Sequence, residues 1–406
     1  MNLLYLNQDV LFIATSFLSV TDLLHFCETC RSAYALAVEH AYSSVVLDHS
    51  PSQVLKFCSS LLSAPHRPLW LRKLRICMVK YEDLAEPSTA YSTLLATLLE
   101  RALRLRSLSI DNWVQQFAIL ATAWDNGCAS LPLRFRTDLR IPTVRTLHID
   151  TSMLSMTLTA QIFPNVTELS LCNAVNTRTN YVHEEGCWSS LDHVDYAGVG
   201  VYTWQLPCPI RWMGFWGIND WVVPKLLALL ERASPRIVSI SVTTSHFDHP
   251  GFWNPLIAIT SQLRYLELAL TDIVSGNISY WVEIIAPSLQ KCTAIGVFIY
   301  IPVHNRIGSD EGNSIDTMTA VAKALSKSLC LRYIGVALVQ DKDINLWDSA
   351  VDYERNAVSW WRVVRTAGGD INELQSITVE QGERARRYLL DANYDSLSAL
   401  DGLSAI

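Results

Sequence analysis

Short apolar segments recur along this chain in one pattern, and that recurrence limits its fold more than any other feature. Each has apolar residues at its first, fourth and sixth positions: Leu71/Leu74/Ile76, Leu105/Leu108/Ile110, Val144/Leu147/Ile149 and Val166/Leu169/Leu171. The series continues with Leu191/Val194/Tyr196, Ile210/Met213/Phe215, Ile237/Ile240/Val242 and Leu263/Leu266/Leu268. Leu289/Cys292/Ala294, Leu331/Ile334/Val336 and Leu374/Ile377/Val379 complete it. Positions four and six lie on one face of an extended segment. Eleven such units start at intervals of 19 to 43 residues. A strand of this length cannot bury its apolar face alone, so the units must stack on their neighbours.

Helix-period stretches stand between the strands. Leu94, Leu95, Leu98, Leu99, Ala102 and Leu103 form one stripe, and Leu226, Leu227 and Leu230 another. Further helices are expected at 117–124, 281–286, 318–329 and 357–364. The sequence therefore reads as α/β, with a curved parallel sheet and helices on the convex side. A doubly wound domain also alternates strand and helix, but eleven units exceed what one sheet of that kind carries. The sequence is 50% hydrophobic and only 17% charged, which suits a continuous core running through the stack.

The formal charge of −7 argues against a nucleic-acid binder, which needs a basic face. No apolar run is long enough to span a membrane. The N-terminus has no basic leader, because the first Lys or Arg is Arg31 and Asp9 interrupts the apolar stretch. Ten irregularly spaced Cys suit a reduced interior and not a disulfide framework. The expectation is an intracellular protein, cytoplasmic, nuclear or both.

The pattern L-x-x-L-x-L over residues 50–382 resembles the leucine-rich repeat. The Asn or Cys usual at the ninth position is replaced by Val79, Trp113, Ser152 and Ala174 in the first four units, which implies an irregular solenoid. Residues 1–48 carry no repeat. They read as three short helices, with Ser19-Val20-Thr21-Asp22 as a cap signal, before Val45-Val46-Leu47 continues extended. Leu6-Asn7-Gln8-Asp9-Val10-Leu11, Phe17-Leu18-Ser19-Val20-Thr21-Asp22-Leu23 and Thr29-Cys30-Arg31 resemble the F-box motif, with Asn7 where Pro is usual. The combination resembles fungal F-box proteins with leucine-rich repeats. The organisation implied is an F-box-like module at 1–48, a solenoid at 49–390 and a tail at 391–406.

The resemblance implies a substrate receptor of an SCF-type cullin–RING ubiquitin ligase. Leu6, Val10, Leu11, Phe17, Leu18, Leu23 and Leu24 would dock a Skp-type adaptor, and the repeats would hold a protein substrate. A scaffold outside any ligase, with the helices only capping the solenoid, is the other reading. No phosphate cradle, nucleophile elbow or complete zinc pattern occurs, so no residue is assigned to catalysis, cofactor or metal. Cys27-x-x-Cys30 lacks a second pair and reads as packing on one helix. His246-x-x-His249 and His183-Glu184-Glu185 read as solvated loops.

Alternate strand positions should line an exposed concave sheet. From the second to the eighth unit these include Asp111, Asp150, Glu168, Asp195, Trp212, Trp216, Tyr265 and Glu267. They suggest a surface for a basic protein segment, with the aromatics as anchors. Equally, the carboxylates could serve only solubility. Arg384, Arg386 and Arg387 form too small a cluster for a nuclear signal.

Overall fold

The computed structural model describes residues 7–47, 51–77, 89–111, 139–150, 156–172, 188, 191–197, 210–218, 223–243, 250–259, 263–271, 289, 291, 294–303, 312–328, 330–340, 357–366 and 371–391. The chain is an α/β protein of two compact units. One holds Met1–Asn173 with Thr177–Ser190, and the other holds Ala174–Asn176 with Leu191–Ile406.

The first unit opens with helices α1 (Gln8–Ser16), α2 (Val20–Thr29) and α3 (Arg31–Ala41). Ser19 caps α2 by accepting from the Asp22 N–H at 3.2 Å. Cys30 caps α3, its sulfur accepting from Ala33 N at 3.4 Å. Strand β1 (Ser44–Leu47), helix α4 (Pro51–Leu62) and strand β2 (Lys73–Cys77) follow. Then come α5 (Thr89–Arg101), β3 (Ser107–Asp111), β4 (Thr146–Asp150), α6 (Met156–Ile162) and β5 (Glu168–Cys172). The five strands are parallel and ordered as in the chain. Val45, Leu74, Leu108, Leu147 and Leu169 stand in one register row. Leu71, Leu105, Val144 and Val166, at the first position of each unit, are buried with that row, Val45 apart. The apolar spacing thus built this core as expected. The stripe of α5 buries Leu95, Leu98 and Leu99, and Ala102 just past its end is buried too. The three N-terminal helices belong to this unit together with its strands.

The second unit contains β6 (His193–Ala197), β7 (Trp212–Ile218), α7 (Val223–Ala233), β8 (Ile237–Thr243), α8 (Pro250–Ile259) and β9 (Tyr265–Thr271). It continues through β10 (Gly296–Val303), α9 (Gly312–Ser326), β11 (Tyr333–Gln340), β12 (Ala357–Arg365), β13 (Ile371–Ile377) and α10 (Val379–Leu390). β6 to β11 are parallel neighbours in chain order, whereas β12 and β13 add in antiparallel fashion. Helices α5, α7 and α9 stand where the periodicity of 94–103, 226–230 and 318–329 placed them. The helices expected at 117–124 and 281–286 fall outside the described residues.

Four expectations are corrected in this unit. Residues 357–364 form a strand, not a helix: Val358/Trp360 and Trp361/Val363 are buried on opposite faces. The last expected unit, Leu374/Ile377/Val379, is antiparallel strand running into α10. Ile237 pairs with Trp212 and Tyr265, so Val238 and Ile240 occupy the fourth and sixth positions. Gly296 likewise pairs with Tyr265, which makes the next unit Ala294/Val297/Ile299 and not Leu289/Cys292/Ala294. Three of the four share a cause: β8, β10 and β12 are buried on both faces, so their sequences run apolar without clear alternation. β13 is largely exposed, and only the spacing of Leu374 and Ile377 imitates a further unit.

Candidate interaction surfaces

The N-terminal helices are too small to bury much. Leu23, Ala37 and Ala41 make a core, with Phe26, Cys27 and Tyr42 packed against it. Leu11 is buried as well. Glu39 on α3 then pairs with Arg104 at 2.9 Å and Arg72 at 3.3 Å. Tyr42 lies beside Phe57 and Trp70, with ring centroids 6.4 and 5.9 Å away.

Large apolar side chains remain exposed on the same helices and their junctions: Val10, Ile13, Phe17, Leu18, Val20, Leu24 and Tyr34. Phe17 is 83% exposed. Of the residues expected to dock an adaptor, Val10, Phe17, Leu18 and Leu24 therefore face solvent. Leu11 and Leu23 do not, because they hold the helices together. Leu6 lies outside the described residues. Cys27 packs on α2 as expected, but Cys30 leaves the helix to cap the next one.

On the strands of the first unit, Asp111 and Asp150 end β3 and β4, in register with Cys77 and Cys172. Glu168 is exposed and accepts from the Thr146 hydroxyl at 2.9 Å.

The second unit differs. The expectation of an open face fails at Asp195, Tyr265 and Glu267, which are all buried. Asp195, Gly214, Ser239, Glu267, Phe298, Gly335 and Trp360 form one register row across β6 to β12. Helix α10 covers the later part of it. Ala385 and Leu389 pack into a cluster with Ile237, Tyr265, Phe298, Tyr333 and Trp360. Arg386 donates to the Tyr265 hydroxyl at 3.1 Å and pairs with Glu267 at 3.5 Å. Its guanidinium also stands 5.7 Å from the Phe298 ring centroid. The basic segment anticipated for these carboxylates is thus, at Glu267, the chain's own helix.

Glycines make the fit possible. A Cβ on Gly382 would enter the Trp360 ring, and one on Gly335 would meet Phe298 and Trp360. Thr378 and Gln381 start α10 with reciprocal bonds of 3.2 and 3.1 Å, a capping box. Burial raises the Glu383 carboxyl above its ordinary range although Arg386 and Arg387 oppose the shift.

Near the start of this unit His193 stacks on Trp212, with centroids 4.2 Å apart, and lies 2.9 Å from Asp195. Trp212 packs against the α10 cluster and is only half-buried. Trp216 is in register with Ala197. The substrate residues expected from sequence divide between the two units. Asp111, Asp150 and Glu168 belong to the first unit, and the remaining five to the second.

Among the described residues no group of three His, Cys, Asp or Glu could hold a metal ion. No described helix is long and apolar enough to cross a membrane. The His246 and His183 stretches lie outside the described residues. In comparisons with known proteins, no family model and no curated relative matches this chain.

Proposed function

We propose that the chain is the substrate receptor of an SCF-type cullin–RING ubiquitin ligase. On this reading α1 to α3 are an F-box-like module and the stacked strands an irregular leucine-rich-repeat solenoid. One observation carries the reading: Val10, Ile13, Phe17, Leu18, Val20 and Leu24 are all exposed on α1, α2 and their junction, in a module with a very small core. So many large apolar side chains left in solvent on one small module mark a protein contact. A Skp-type adaptor would cover it and deliver the cullin–RING core. The protein itself does no chemistry and needs no cofactor; it holds a protein substrate, with Asp111, Asp150 and Glu168 on the strands of the first unit as contact residues.

Co-purification with a Skp-type adaptor tests the reading. The full chain should capture adaptor and cullin, and Phe17→Asp with Leu18→Asp should abolish capture while the thermal unfolding midpoint stays put. Capture of adaptor without cullin would favour the scaffold reading. No capture, or capture unaffected by the two substitutions, would remove adaptor docking altogether.

A further inference from the structure

An arginine precedes each of three adjacent strands in the first unit: Arg72 before β2, Arg106 before β3 and Arg145 before β4. The Arg106 N–H donates to the Arg72 carbonyl at 2.7 Å, and the Arg145 N–H to the Arg106 carbonyl at 2.8 Å. The three are therefore stacked at the strand spacing of about 4.8 Å, across about 10 Å in all. All are exposed. Arg106 donates through one nitrogen to the Thr143 carbonyl at 3.4 Å, and Arg145 likewise to Asn165 at 3.0 Å. A guanidinium has five N–H donors, so each keeps most of its fork. Like charges on neighbouring strands repel. Only Arg72 meets a carboxylate among the described residues, that of Glu39.

The second unit shows what this position does when an anion is supplied. Arg211 precedes β7 in the same way, and its row neighbour is Asp192. Arg211 grips that carboxylate with its fork, Nε to Oδ1 at 3.0 Å and Nη2 to Oδ2 at 2.6 Å. It also donates to the Leu390 carbonyl at the end of α10. In the first unit the row instead ends at Thr167, whose N–H bonds the Arg145 carbonyl and which carries no charge.

We propose that Arg72, Arg106 and Arg145 form a docking edge for a short acidic segment of a partner protein. Its Asp or Glu carboxylates supply in trans what Asp192 supplies to Arg211 in cis. Residues 51–172 carry thirteen Lys and Arg against nine Asp and Glu, a positive excess along this stretch of a chain of net charge −7. A nucleic acid fits less well. The row is only three arginines wide, Asp111 and Asp150 close the far ends of the same strands, and the whole chain repels a long polyanion. The inference goes beyond adaptor docking and stands without it, because the test uses this chain alone.

The full chain is titrated into a fluorescein-labelled glutamate–glycine peptide and followed by anisotropy, with a glutamine–glycine peptide as reference. Saturable binding of the acidic peptide alone is expected, weakening as salt rises. The pair Arg106→Gln, Arg145→Gln should weaken it about tenfold, the sum of two modest ion pairs, with the unfolding midpoint unchanged. Lys323→Gln, exposed on α9 and away from any such row, should bind as wild type. If the Gln pair does not fold, Arg106→Lys with Arg145→Lys decides, since charge stays and the fork is lost; weaker binding is expected. Equal binding of both peptides, or wild-type affinity in the pair tested, would overturn the proposal. So would displacement of the peptide by single-stranded RNA at lower concentration than by unlabelled peptide.

Discussion

Arg386 and Glu267 meet at 3.5 Å in the interior of the second unit, 119 residues apart in sequence and each less than 10% exposed. A buried pair of this kind is costly to break from one side, because the remaining charge stays desolvated. Arg386→Met is expected to lower stability by about 3 kcal/mol. Adding Glu267→Leu should recover most of that loss. Urea unfolding of the single and double variants measures both, and equal losses in the two would contradict the pairing.

Gly382 rests against Trp360 with no room for a methyl group. Gly382→Ala would favour the helix intrinsically but must push α10 off the ring, at an expected cost of about 1–3 kcal/mol. A raised thermal unfolding midpoint in this variant would refute the close approach.

Glu383 is also on α10, and burial raises its carboxyl pKa. The folded chain therefore holds this proton more tightly than the unfolded chain. Its contribution to stability is full below the ordinary carboxylate range and is lost as pH rises through the raised value. Glu383→Gln removes the charge, so the variant should be more stable than wild type at neutral pH. The difference should shrink near pH 4. Denaturant midpoints at both pH values provide the comparison.

Leu23 and Leu18 separate packing from docking. Leu23→Ala opens the small helical core and should cost about 2 kcal/mol or more. Leu18→Asp touches only an exposed position and should change stability by less than about 0.5 kcal/mol. Circular dichroism melting of the two variants distinguishes them.

Burial pushes the Cys58 thiol up to about 12, and the side chain is 1% exposed. Thiolate is the reactive form, so native protein treated with iodoacetamide should be alkylated at exposed Cys30 and Cys330 but not at Cys58. Peptide mass mapping before and after unfolding reads this directly.

The strands of the first unit were legible because one face is apolar and the other polar. Leu74/Ile76, Leu108/Ile110 and Leu147/Ile149 announce both the strand and its register. In the second unit the same reasoning slipped at Ile237 and at Leu289, where apolar residues occupy both faces. Helix α10 has a local signal of its own. Thr378-x-x-Gln381 is a capping box, hidden because Leu374, Ile377 and Val379 continued the repeat spacing. The exposed Phe17 and Leu18 were found by motif, but nothing local distinguished them from buried Leu11 and Leu23.

The sequence alone determined that this chain stacks parallel strands alternating with helices, because apolar spacing is a local property that each unit repeats. Tertiary structure alone decided which sheet faces stay open. Tyr265 and Glu267 look like surface residues in their own strand, and become interior only when a helix from the end of the chain lies over them. That closure depends on Gly335 and Gly382 leaving space and on Arg386 matching a carboxylate far away in sequence. Short-range periodicity carries no record of such long-range complementarity.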